Sequence, residues 1–164
     1  MALRPSDSDR APALDSTLKL LLAKPGEKGT PAASPPRITE TVLLVEDEPA
    51  VRALARLALL RQGYAVVEAA DGQQALAVMA QRRGPVHLLV TDVVMPHMGG
   101  RELAERLTAA CPGLRVLLIS GYTDDEGVRD LVSAGRASFL PKPFTMTALA
   151  QKVREALDAP ESPP

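Results

Sequence analysis

The stretch Thr41-Val42-Leu43-Leu44-Val45-Glu46-Asp47-Glu48-Pro49 decides the fold. Its first five residues form an unbroken β-rich run, as expected for a strand buried on both faces. The run stops abruptly at three acids and a proline, and Pro49 suits the first turn of a helix. Val51, Leu54, Ala55, Ala58 and Leu59 then recur at helical spacing until Gly63 stops the pattern. A buried strand that runs through a short acidic loop into a helix is half of a parallel strand–helix–strand unit.

The same alternation continues outward. Strands are expected at Tyr64 to Glu68, Val86 to Thr91, Leu114 to Ile119 and Ser138 to Leu140. Helices follow each of them. Asp71 with Gln74, and Thr123 with Glu126, have the spacing of capping boxes. Thr145 is expected to cap the last helix, which carries Leu149, Val153 and Leu157 on one face. Five strand–helix pairs imply parallel strands joined by right-handed crossovers, with helices on both faces. Five are too few for an eight-stranded barrel, which leaves a doubly wound α/β sheet.

Proline marks the ends. Of 15 prolines, six lie in residues 1–37 and three in 160–164. Residues 1–38 are therefore read as a disordered Pro-rich linker or tail, 39–158 as the folded domain, and 159–164 as a disordered C-terminal tail. Within the front segment, Leu18-Lys19-Leu20-Leu21-Leu22 is apolar, and reads as a transient helix, a sticky linker or the last strand of a preceding domain.

Composition excludes several functions. Net charge is −1, so the chain lacks the basic footprint of nucleic-acid binding. Aromatic residues are 2% of the chain, too few for base-stacking platforms. One cysteine (Cys111) and two histidines (His87 and His97) cannot build a cysteine-cluster or multi-histidine metal site. No apolar run has the roughly 20 residues of a membrane span, and Met1 to Asp7 lacks a signal-peptide pattern. A cytoplasmic location is expected.

Doubly wound sheets place their sites at the carboxyl ends of strands. Here those ends carry Glu46-Asp47-Glu48, Asp92, Ser120 and Lys142-Pro143. Singly, each acid reads as a helix cap; as an ordered set, one group per strand end, they point to chemistry. Clustered carboxylates repel and call for a hard cation, Mg2+ or Mn2+. An ammonium and a hydroxyl beside that cation suit an incoming phosphoryl group, with one carboxylate as nucleophile.

These residues resemble the response-regulator receiver domain of bacterial two-component signalling. The likeness rests on Val42-Leu43-Leu44-Val45-Glu46-Asp47-Glu48, on Asp92-Val93-Val94-Met95-Pro96 with Met98 and Gly100, on Ser120-Gly121, and on Phe139-Leu140-Pro141-Lys142-Pro143-Phe144. It covers residues 40 to 158. The resemblance implies a flavodoxin-like five-stranded parallel sheet in the order 2-1-3-4-5 with five helices. It implies Asp92 as phosphoacceptor and Mg2+ (or Mn2+) held by Asp47, Asp92, the Val94 backbone carbonyl and, through water, Glu46. Ser120 becomes the switch hydroxyl, Lys142 the phosphoryl-pairing lysine, Phe139 the switch aromatic, and Pro143 the residue after a cis bond.

The implied role is a signalling phosphoacceptor rather than an enzyme. It would take its phosphoryl group from a histidine kinase or phosphotransfer protein. It would signal to a protein target through the fourth helix, fifth strand and fifth helix, as a monomer or weak dimer, with no nucleic acid or membrane partner. No output domain is read after residue 158, and the chain reads either as a stand-alone regulator or as the receiver end of a hybrid histidine kinase. Glu46 replaces the commoner Asp, Gly99 is expected to loosen its loop, and Phe139 lacks the hydroxyl of a tyrosine. Val94 and Tyr122 are expected to flank the crevice and slow self-dephosphorylation. Rival families fit less well. Val94 removes the second aspartate of a dehalogenase-type hydrolase, the acidic loop would repel an FMN phosphate, the complete acceptor set argues against a receiver that no longer accepts phosphate, and no P-loop run exists.

Overall fold

The computed structural model describes residues 40–121 and 125–160. Leu18 to Leu22, Tyr122 and Thr123 lie outside them. The strands are β1 (Thr41–Val45), β2 (Ala65–Ala69), β3 (Leu88–Asp92), β4 (Arg115–Ser120) and β5 (Ser138–Pro141). The helices are α1 (Pro49–Arg61), α2 (Gly72–Gln81), α3 (Gly100–Ala110), α4 (Glu126–Ser133) and α5 (Met146–Asp158). The sheet is fully parallel, in the order β2-β1-β3-β4-β5.

Successive strand residues point to opposite faces, and both faces are buried. Val42, Leu44, Leu88, Val90, Leu117 and Ile119 pack with Ala55, Ala58 and Leu59 of α1 and Leu149, Val153 and Ala156 of α5. Leu43, Val45, Leu89, Val116 and Leu118 pack with Ala75 of α2, Leu103 and Leu107 of α3 and Val128 of α4. That two-sided burial is why the strands read as continuous apolar runs rather than alternating ones.

Details differ from the sequence reading. Leu54 is 47% exposed rather than part of the buried face. The face centres on Ala55, Ala58 and Leu59, and at about 100° per residue Leu54 turns well away from it. The second, third and fourth strands each lie a residue or two later than expected. The α4 N-cap is Asp125, whose side chain accepts from the Gly127 and Val128 N–H groups. Gln74 does turn back, but to the Ala70 N–H, one residue outside the Asp71 cap. Thr145 caps α5 as expected.

Candidate functional site

The order β2-β1-β3-β4-β5 reverses direction beside β1, and the crevice opens at the carboxyl ends of β1 and β3. Glu46 leaves β1 and stays buried, held by its N–H to the Ala69 carbonyl. Asp47 follows at the exposed mouth. Asp92 ends β3 and is buried beside it. Each of the three carboxylates offers an oxygen within 4.8 Å of the others.

Lys142 reaches in from the loop after β5. Its Nζ donates to Asp92 Oδ2 at 2.7 Å and to Glu46 Oε2 at 3.0 Å. The loop is positioned by the Lys142 N–H, which donates to the Ser120 carbonyl, and by a cis Lys142–Pro143 peptide. The remaining carboxylate oxygens are also engaged. Asp92 Oδ1 accepts from the Val94 N–H, and Glu46 Oε1 accepts from the Glu48 N–H. Burial pushes the Glu46 carboxyl above its usual range, against the lowering pull of Lys142 and the Glu48 N–H. Burial lowers the Lys142 ammonium, but its bonds to Asp92 and Glu46 outweigh that and hold it above the usual lysine range.

These donors fit a hard divalent cation: three carboxylates in reach of one another, with no sulfur or imidazole in the cluster. The Val94 backbone lies beside the Asp92 carboxylate, while its side chain is 63% exposed at the crevice rim.

Ser120 ends β4 and is almost fully buried. Leu118 pairs with Phe139 and Ser120 with Pro141, so Ser120 and Phe139 are diagonal neighbours on one face of the sheet. Phe139 is half-buried and packs on the α2–α3–α4 side. The crevice thus gathers Glu46, Asp47, Asp92 and Lys142 directly, with Ser120 and Phe139 adjoining through β4 and β5.

The structural roles of two contributors escaped the sequence reading, although Gly100 belongs to the motif quoted for the resemblance. Arg52, in the first turns of α1, donates from Nη1 to the Glu46 carbonyl at 2.6 Å and so pins the acidic loop. An arginine six residues after Glu46 is the only sequence signal for it. Gly100 is the second: a Cβ there would collide with the Asp92 carbonyl, so α3 can begin tight against the end of β3 only with glycine. Gly99 does not supply a left-handed turn. Its φ is −70°, and the left-handed residue of that loop is His97, at φ 66°.

The family model described as "Response regulator receiver domain" matches residues 42–154. The chain is 45% identical over 118 residues to "Sensor kinase CckA" of Brucella abortus, covering 72% of this chain and 12% of that protein. It is 34% identical over 120 residues to "Probable transcriptional regulatory protein TcrX" of Mycobacterium tuberculosis, covering 71% and 49%. It therefore spans less than half the length of either relative. Among solved structures, the receiver domain from the hybrid histidine kinase CckA is similar at 36% identity and TM-score 0.61, covering 72% of this chain and 99% of that one. The response regulator TrrA from Thermotoga maritima, in complex with Mg2+ and BeF, matches at 27% identity and TM-score 0.61, covering 72% and 99%.

Proposed function

Because this chain belongs to the response-regulator receiver family, we propose that residues 39–158 form a phosphoacceptor domain in which Asp92 takes a phosphoryl group from a kinase phosphohistidine. The carrying observation is the convergence at one sheet end of buried Asp92, the Lys142 ammonium 2.7 Å away, and the Glu46–Asp47–Asp92 carboxylate cluster. A carboxylate already bound to an ammonium, beside two further acids, is arranged for charge transfer onto its oxygens rather than for helix capping.

In the step, an Asp92 oxygen attacks phosphorus. The new P–O bond forms as the P–N bond to the donor imidazole breaks, and the imidazole leaves with the electron pair. Asp47, Asp92 and the Val94 carbonyl, with Glu46 through water, would hold Mg2+, which would neutralise charge on the phosphoryl oxygens. Lys142 gives up its bond to Asp92 and pairs with the phosphoryl group. The Ser120 hydroxyl then donates to a phosphoryl oxygen, and its movement frees room for Phe139 on the same face. The result is a population shift of the α4-β5-α5 surface toward a form that a protein target binds.

The 45% identity with a sensor kinase favours the receiver of a hybrid kinase over a stand-alone regulator. Its partners would then be a histidine kinase and a phosphotransfer protein, in the cytoplasm, with the domain acting as a monomer or weak dimer. Among the described residues, no helix is long and apolar enough to cross a membrane.

The test is labelling with acetyl phosphate and magnesium. Wild-type protein should gain one acid-stable, base-labile phosphoryl group, and Asp92→Asn should gain none while keeping its fold. Full labelling of that variant would move the acceptor elsewhere.

A further inference from the structure

At the other end of β4 and β5, the turns Pro112–Gly113 and Gly135–Arg136 and the carboxyl end of α5 border a cavity of about 320 Å3. That is the lower end of the range for small-molecule sites. Arg115 and Arg136 line it, and no aspartate or glutamate does among the described residues. Leu114, Val116 and Ala156 make an apolar wall.

Arg115 is only partly satisfied. Its Nη2 donates to the Ala159 carbonyl at 3.1 Å, a neutral acceptor that does not balance the charge. Its Nε is buried and has no hydrogen-bond partner among the described residues. Leaving a buried donor of a charged group unpaired is costly, such groups are exceptions in folded proteins, and the guanidinium charge is left without an opposite charge that an anion would supply.

We propose that this cavity binds a small oxyanion, a carboxylate or phosphate group on a compact body, its charge shared between the Arg115 and Arg136 guanidinium groups. Two arginines in a concave wall with no acid among its described residues match an anion, and guanidinium groups are the side chains best suited to oxyanions. The concavity favours a small molecule over a flat protein face. The inference is independent of the Asp92 reading, because it uses no residue of that crevice.

The test is an NMR titration of the 15N-labelled full chain without magnesium, at constant ionic strength, with inorganic phosphate in one arm and malonate in the other. Saturable shifts are expected at the Gly113, Arg115, Gly135 and Ala137 amides, and at Arg115 Nε–H. Arg115→Met and Arg136→Gln should each weaken binding roughly tenfold. The tighter-binding arm identifies the anion as phosphate or carboxylate. Shifts that never saturate, shifts confined to the Asp92 crevice, or equal affinity in Arg136→Gln would overturn the proposal. Arg136 is exposed, so its variant decides the matter if Arg115→Met fails to fold.

Discussion

The Lys142 ammonium sits 2.7 Å from the Asp92 carboxylate and shares its charge with Glu46, so one cation is spread over two buried acids. This ammonium competes with any metal for the same negative charge. Lys142→Met should therefore bind Mg2+ more tightly than wild type, by roughly fivefold, about 1 kcal/mol. Phosphorylation by acetyl phosphate should nevertheless slow, because the phosphoryl oxygens lose their ammonium partner. Calorimetric Mg2+ titration and labelling rates measure the two effects. Weaker Mg2+ binding in the variant would refute the competition.

Val94 stands beside the proposed acceptor, Asp92. Its N–H is committed to Asp92 Oδ1, and its exposed isopropyl group stands at the rim with no means of holding a water. Val94→Asn adds an amide that can orient an attacking water on the aspartyl phosphate. Decay of the phosphorylated protein should speed up about three- to tenfold. An unchanged half-life would mean that Val94 is only packing.

Gly100 fixes the spacing between α3 and the acceptor strand. A Cβ there meets the Asp92 carbonyl and the Thr91 hydroxyl, both rigidly placed. At Gly72 the nearest atoms are the Met98 Cβ, Cγ and Sδ, each at 2.8 Å, a milder overlap than that at Gly100. Gly100→Ala should cost about 2–3 kcal/mol in urea unfolding, and Gly72→Ala clearly less. Equal costs would show that the α3 start yields more readily than this packing implies.

Much of this was legible from the chain because the strands are buried on both faces. Thr41–Val45 could be bounded to the residue, since an apolar run met an acidic loop. The catalytic candidates sat at strand ends, where parallel topology alone brings them together. Other features were not legible, because they depend on rotation and reach. The buried side of α1 turns on whether Leu54 or Ala55 faces the sheet. Arg52 matters through a long side chain folding back to Glu46, which no local pattern records. Gly100 reads as a loop glycine until the Asp92 carbonyl is seen against it.

Arg154 ties the start of β1 to the last helix. It holds Asp158 through two bonds and donates from Nη1 to Glu40 Oε1 at 3.2 Å. Burial raises the Glu40 carboxyl, but its own backbone N–H and the Arg154 hydrogen bond and charge outweigh that and leave it below the usual range. A carboxyl lowered on folding adds stability above its unfolded value, about 4.3, and loses that contribution as pH falls through the folded value. Both side chains are partly exposed, so the contribution should stay under about 1 kcal/mol. Glu40→Gln removes the charge at every pH. The variant should thus be slightly less stable than wild type at pH 7, and the gap should shrink at pH 3.5, as wild-type Glu40 takes up its proton on passing through its lowered range. Urea unfolding of both proteins at the two pH values isolates this pair, because all other acids titrate alike in each. A gap that persisted undiminished in acid would mean that Glu40 acts through packing and not through its charge.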